Sequence, residues 1–205
     1  MKLHLRRRSS AADSQVLAGL VAILVLGGAG CGSSASDNSA DTTKETATAA
    51  PAQTRPAKPE FIAAADKVCK QLGRDTKALI KRMGKLQASY ADAPDEAALD
   101  KRVRGVAKLN RRFVELFRAS NEELAGLRGP DDSTLTKYLE ERDDYADVTA
   151  RLAAALSGFA DASAEDQAVA DKKIVSANDA GEKSNATLRR LARAYGFKVC
   201  HRGRS

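Results

Sequence analysis

The sequence predicts an all-α fold, an up-down-up-down four-helix bundle that follows a signal peptide and a disordered linker. Alanine, the best helix former, is abundant along the chain, whereas aromatic residues make up only 4% of it. No segment alternates apolar and polar residues with the period of two that a half-buried strand requires. Across residues 60–200, apolar side chains instead recur at steps of three and four, which places them on one face of each helix.

The first element, residues 1–30, has the organisation of a secretory signal peptide. Basic residues occupy positions 2 and 6–8, and an uncharged apolar run follows over 16–26. This run is too short to span a bilayer comfortably, and small residues end it. We therefore expect export of the chain.

The residues that follow the apolar run, Ala29-Gly30-Cys31, resemble the lipobox of bacterial lipoproteins. That family places small residues before an invariant cysteine, and Gly28 stands where it favours leucine. The resemblance implies cleavage after Gly30, lipidation of Cys31 with palmitate-type acyl chains, and a lipid-anchored position on the outer, extracytoplasmic face of the cell membrane. The alternative is an ordinary cleaved signal peptide.

The second element, residues 31–59, is predicted to be a disordered linker behind the lipidated cysteine. Apart from three prolines, it contains no apolar side chain larger than alanine from residue 32 to 59. Such a segment cannot bury enough surface to offset the entropy of ordering it. A flexible coil of this length would span roughly 30 Å and hold a domain clear of the lipid headgroups.

The folded domain is predicted at residues 60–200, and its first half holds two helices. The first helix begins near Pro59, because proline is favoured in a first helical turn, and it ends before Pro94. The second helix begins near Asp95 and ends at Gly129-Pro130.

Two further helices are predicted in the second half, before a basic tail at 201–205. The third begins with Asp131 or Asp132 as its N-cap, and the fourth begins with Ser163 as its N-cap and ends at Gly196. Short connections make consecutive helices antiparallel neighbours. An extended, oligomeric coiled coil is the alternative.

Two cysteines support the compact bundle. Cys69 lies early in the first helix and Cys200 just after the fourth, and these positions meet at one pole of an up-down-up-down bundle. With Cys31 lipidated, the remaining cysteines are even in number, and an exported protein experiences oxidising conditions. We expect a Cys69–Cys200 disulfide. The strings FIAAADKVC and YGFKVC around these cysteines are loosely similar to small secreted helical lipoproteins of actinobacteria, a resemblance that implies no activity.

The composition excludes several kinds of chemistry. Histidine is limited to His4 and His201, so neither a two-histidine metal site nor a histidine-assisted nucleophile can form within the domain. The chain contains no G-x-x-x-x-G-K-[ST] phosphate loop and no C-x-x-C-H haem motif. We predict a protein that is not an enzyme and uses no cofactor or metal.

Positive charges are organised in two stripes at helical spacing, one on each of the first two helices. An anionic polymer or an envelope protein is the expected partner of such a ridge, and nucleic acid is not expected for an exported chain. The alternative is a solvated face. The candidate basic ridge comprises Lys70, Arg74, Lys77, Lys81, Lys85, Lys101, Arg104, Lys108 and Arg111.

A candidate pocket lies inside the predicted bundle. The middle of the fourth helix carries small residues opposite bulky ones, and two polar residues fall in core register. Close helix packing, with the arginine reaching solvent, is the alternative. The candidate pocket residues are Asn110, Arg142, Tyr145, Gly181 and Ser184.

These observations leave two classes of function open. The first is a lipid-anchored extracytoplasmic bundle with a non-enzymatic interaction or structural role at the cell envelope. The second is a lipoprotein that binds or senses a small ligand in a pocket inside the bundle. A packed core favours the first, and a persistent cavity favours the second.

Overall fold

The computed structural model describes residues 55–163 and 165–201, and within these ranges it is an all-α four-helix bundle without strands. This confirms the predicted fold class. The signal peptide, Cys31, most of the linker and all of the basic tail after His201 lie outside the described residues. The helices are α1 (Lys58–Ala88), α2 (Glu96–Gly126), α3 (Ser133–Asp161) and α4 (Gln167–Tyr195), with a 3-10 turn at Tyr90–Asp92 after α1.

Aspartate side chains cap the starts of α2 and α3. The Asp95 carboxylate accepts the Ala98 N–H at 2.7 Å. Asp132, rather than Asp131, caps α3 by accepting the Thr134 N–H at 2.8 Å. A hydrogen bond from Lys58 and the Thr134 N–H together lower the pKa of the Asp132 carboxyl. These bonds satisfy backbone donors that the helices leave free.

The predicted cap residue of α4 lies before the helix and not at its N-cap position. Ser163 is in the preceding turn, where its hydroxyl accepts the Asp166 N–H at 3.3 Å and donates to the Asp166 carboxylate at 2.6 Å. Its carbonyl accepts the N–H groups of Asp166 at 3.0 Å and Gln167 at 3.1 Å. The helix begins at Gln167, with Asp166 as the cap residue and no side-chain cap bond. The serine therefore pairs with a nearby side chain and extends the connection, because Ser and Asp readily stabilise local turns.

The end of α4 is where the sequence predicts it. Gly196 adopts a left-handed conformation with φ of 104°, a region that suits glycine. The Phe197 N–H then bonds back to the Ala192 carbonyl at 3.0 Å, as in a Schellman ending. The chain thereby reverses and carries Phe197 into the core, where only 2% of its surface is exposed.

The helices do not pack equally on one another. Helix α3 lies closely along both α2 and α4, and α1 lies along α2. Between α1 and α4, by contrast, few backbone positions come close. The bundle thus has three closed seams and one loose seam, which is where the candidate site lies. None of the described helices is long and apolar enough to cross a membrane.

The core divides into two clusters of buried residues. The larger cluster includes Phe61, Tyr138, Tyr195 and Phe197. The Tyr195 and Phe197 rings lie 4.8 Å apart, and the Phe61 ring meets Tyr195 edge-on at 6.0 Å. The smaller cluster surrounds Tyr90 and lies towards the opposite end of the bundle. The aromatic residues of the larger cluster join the start of α1 to the end of α4.

The expected disulfide reinforces this junction. Cys69 and Cys200 are bonded, with their Cα atoms 5.2 Å apart. One carboxylate orients the segment that carries Cys200, since Asp66 accepts the backbone N–H groups of Lys198 at 2.9 Å, Val199 at 2.8 Å and Cys200 at 3.2 Å. Residues 197–200 are therefore held against α1 by covalent, polar and apolar contacts together.

Replacing both Cys69 and Cys200 with serine is expected to lower the free energy of unfolding by about 5 kcal/mol. The bond closes a loop between residues separated by 131 positions, and chain-entropy theory assigns a loop of this size that magnitude. Urea unfolding measures the difference. Wild-type protein reduced with dithiothreitol serves as the control and should match the double variant; equal stability of the oxidised wild type and the variant would contradict the prediction.

Candidate functional site

The loose seam between α1 and α4 opens into a cavity of about 780 Å³, which we call the α1–α4 groove. Small-molecule sites in proteins usually occupy about 300–1,000 Å³. The groove reaches past the two flanking helices to side chains of α2 and α3, and the Cys69–Cys200 disulfide forms part of its wall. It is therefore a concave site of suitable size for a small ligand.

The floor of the groove is apolar and aromatic. Phe113 and Phe117 of α2, Tyr145 of α3 and Leu188 of α4 all contribute to it. The ring centroids of Phe113 and Phe117 lie 5.6 Å apart, and those of Phe117 and Tyr145 lie 5.3 Å apart. These rings belong to or pack against the larger core cluster, which keeps the floor rigid.

The rim of the groove is basic. Four consecutive cations of the α1 stripe line it, and Arg189 of α4 faces them. No aspartate or glutamate is among the described residues that line the groove. Together with Arg142 on the inner wall, the lining contains six cationic side chains: Lys70, Arg74, Lys77, Lys81, Arg142 and Arg189.

Arg142 is the deepest of these cations, with 3% of its surface exposed. Its Nε donates to the Asn121 side-chain oxygen at 2.7 Å, and its two terminal nitrogens donate to the Ser120 hydroxyl at 2.6 Å and the Tyr138 hydroxyl at 3.1 Å. The guanidinium also lies over the Phe117 ring, 4.4 Å from its centroid. Its partners are thus all neutral, and in the described part of the chain no carboxylate forms an ion pair with it.

The Arg189 guanidinium also has an unused hydrogen-bond donor. Its Nε is buried and has no hydrogen-bond partner among the described residues. A buried donor without an acceptor costs free energy. Arg189 was not among the residues predicted from the sequence. Its position beside the core residue Leu188 was the available signal, because a basic residue at the edge of an apolar helix face can point along a seam.

The structure separates the two stripes of the candidate basic ridge. Arg104 of α2 pairs with Asp161 at 3.1 Å and donates to the Ala160 carbonyl, and Arg111 donates to the Ser157 hydroxyl, so both reach towards α3. Lys101 and Lys108 are exposed on α2. On α1, the first four members of the stripe line the groove and Lys85 does not. The two stripes therefore do not form one continuous ridge.

The candidate pocket residues are also divided. Arg142 and Tyr145 line the groove. Asn110 is buried, with its side-chain amide donating to the Val106 carbonyl at 3.1 Å, and Ser184 is buried with no described partner for its hydroxyl. At Gly181 an added Cβ would lie 3.6 Å from Val148, an ordinary van der Waals contact, so this position faces α3 and not the groove. The cavity thus opens at the α1–α4 seam rather than along the small residues of α4.

Other polar groups of the described residues have structural roles. No group of three or more His, Cys, Asp or Glu side chains is placed to hold a metal ion within the described ranges. The Tyr90 and Tyr195 hydroxyls are buried without described hydrogen-bond partners, and burial is the main cause that raises the pKa of each. Both tyrosines belong to the core clusters and neither lines the groove.

Comparison with known proteins finds no family model, no curated protein and no solved structure that matches this chain.

The bonds around Arg142 are expected to contribute to stability. Ser120→Ala removes the acceptor of one buried guanidinium N–H and should lower the free energy of unfolding by about 1–3 kcal/mol. Ser157→Ala is the matched control, since its partner Arg111 is exposed, and should change stability by less than about 0.5 kcal/mol. Urea unfolding of the two variants tests this, and equal effects would contradict it.

The α1 stripe is expected to reduce the stability of the free protein. Lys77→Glu replaces repulsion of Arg74 and Lys81 by attraction, at spacings of three and four residues, and should raise the free energy of unfolding by about 1 kcal/mol. The gain should shrink as salt screens the charges. Urea unfolding at low and high ionic strength measures both effects. A destabilised variant, or a gain independent of salt, would refute this account of the stripe.

Proposed function

We propose that this chain is a lipid-anchored extracytoplasmic bundle that acts at the cell envelope by binding and not by catalysis, and that the α1–α4 groove is its ligand site. The observation that carries the proposal is the groove itself: a cavity of about 780 Å³ with an aromatic floor and six cationic side chains. Small-ligand sites combine apolar walls with a few convergent polar groups in this way.

The leader sequence supports the proposed location. An apolar run, small residues and Cys31 occur in the order that lipoprotein export requires, and a polar linker separates Cys31 from α1. Lipid on Cys31 would attach the chain to the membrane, and the linker would leave the bundle free in the space outside it. With both features, the groove would lie where extracytoplasmic molecules can reach it.

The contents of the groove favour binding over catalysis. Cations, hydroxyls and aromatic rings hold and orient a ligand, whereas a general base is most often a histidine or a carboxylate. The described lining contains neither of these. The division of the basic ridge also favours the groove over an extended surface for a polymer or protein partner, because Arg104 and Arg111 bond to residues of α3.

Native mass spectrometry of the protein, released from its own membrane with a neutral detergent, tests the proposal. We expect residues 31–205 with lipid on Cys31, less the two hydrogens lost at the disulfide, together with a small molecule that collisions release. Gly73→Leu should lose this small molecule, because an added Cβ at Gly73, in the groove wall, meets no atom within 4 Å and the new side chain would fill free space.

Gly158→Leu is the matched control for the blocking variant. Gly158 is likewise exposed within a helix and open around its Cβ, but it lies outside the groove. It should retain the small molecule. A wild-type protein that carries no small molecule, or one retained equally by both variants, would overturn the groove as the site; a mass without lipid on Cys31 would overturn the anchor.

A further inference from the structure

We propose that the ligand of the α1–α4 groove is an amphipathic anion: a single apolar chain with a carboxylate or phosphate head. This inference rests on the proposed function and adds the chemistry of the ligand. Three features of the groove support it, namely its unpaired rim charges, the neutral cage around Arg142 and the apolar floor.

The rim charges favour a negative partner. Lys70, Lys77 and Lys81 form no ion pair with any carboxylate in the described parts of the chain. Arg74 bonds to the neutral side chain of Gln71, and the Arg189 Nε has no described acceptor. Like charges at these helical spacings repel one another, so the unliganded rim is unfavourable. An anionic head between α1 and α4 would reduce this repulsion and give Arg189 an acceptor.

Arg142 extends the positive potential into the groove. Its hydrogen bonds use three of the five N–H groups of a guanidinium, and all three acceptors are neutral. A buried cation ordinarily has a counterion, because the loss of hydration is expensive. The nearest carboxylate in its hydrogen-bond network is Asp143, which accepts from the Asn121 amide and does not touch the guanidinium. An anion in the groove would therefore interact with a cation that the described protein leaves without a counterion.

The floor distinguishes an amphipathic anion from a purely polar one. Phe113, Phe117, Tyr145 and Leu188 present rings and methyl groups, and Ile80 adds to them from α1. A small inorganic anion or a sugar-phosphate polymer would leave this surface in contact with water, whereas an alkyl chain would cover it. From Lys70 to Lys81 the groove follows about three turns of α1, roughly 16 Å, which suits an extended chain.

The experiment compares four probes on the full chain in digitonin, a neutral detergent whose apolar part is a rigid steroid and not a single alkyl chain. Laurate and dodecyl phosphate share one alkyl chain and differ in the head, dodecanol has no charge, and inorganic phosphate has no chain. Laurate and dodecyl phosphate are added below their micellar concentrations and the other two probes at the same concentrations. Native mass spectrometry and the melting temperature report binding. We expect one equivalent of laurate or dodecyl phosphate to bind and raise the melting temperature, and neither dodecanol nor inorganic phosphate to do so. The tighter of the two anions assigns the head group.

Charge variants test the role of the rim. The double variant Lys77→Gln and Lys81→Gln should bind the anionic probes about fivefold to tenfold more weakly, since each exposed charge pair contributes modestly. The double variant Lys101→Gln and Lys108→Gln makes the same change of net charge on α2, outside the groove, and should bind like the wild type. Gly73→Leu should abolish binding of both anionic probes, and Gly158→Leu should not.

The outcomes separate this inference from the function on which it rests. If dodecanol binds as tightly as the anions and Gly73→Leu abolishes both, the groove remains a ligand site and the anionic class is overturned. Equal weakening by the α1 and α2 double variants would overturn it too, in favour of general surface attraction. If phosphatidylglycerol vesicles bind the wild type and Gly73→Leu alike while no probe binds, the groove is not a ligand site. The basic surface would then contact anionic lipid instead. Tight binding of inorganic phosphate alone would overturn the prediction that the ligand carries an apolar chain.

Discussion

The structure depends on the junction, at one pole of the bundle, between the first part of α1 and the segment that follows α4. Three contacts hold the segment after α4 against α1. They are the Cys69–Cys200 disulfide, the bonds to the Asp66 carboxylate, and the packing of the Phe61, Tyr195 and Phe197 rings. Away from this junction, α1 and α4 approach at few backbone positions. Helix α1 is held in place by this junction and by its packing on α2, so it does not need to pack along α4. The rest of the seam between α1 and α4 can therefore stay open.

The open seam explains where the unusual charges lie. In a fully packed bundle, a stripe of cations at steps of three and four would be a solvated face, and Arg142 would need an acidic partner. Here the stripe lies beside an aromatic floor, and Arg142 bonds only to the neutral Asn121, Ser120 and Tyr138 side chains and lies over the Phe117 ring. The arrangement is less stable than a charge-balanced one would be. Proteins commonly accept such costs at sites that bind ligands.

A structural feature was predictable wherever the residue that determines it lies close to it along the chain. Asp132 caps α3 and Gly196 ends α4 because each acts on the adjacent backbone. Ser163 bonds to the N–H and the carboxylate of Asp166 in the turn before α4, so its bonds close that turn and the helix begins later than predicted. Arg142 and Tyr145 were identified from their core register, but Asn110, Gly181 and Ser184 share that register without lining the groove. Helical register specifies which side chains face inward and not how far apart two helices stand.

By itself the sequence determined the all-α class, the four helices, their order and the two cysteines that meet at one pole. Apolar periodicity, alanine content and short connections are local properties, and they suffice for these features. Only the tertiary structure decided that the α1–α4 seam opens, that the α1 stripe and Arg189 face one cavity, and that Arg104 and Arg111 turn to α3 instead. The distance between helices depends on the combined fit of side chains from all four of them, and no single segment contains that information.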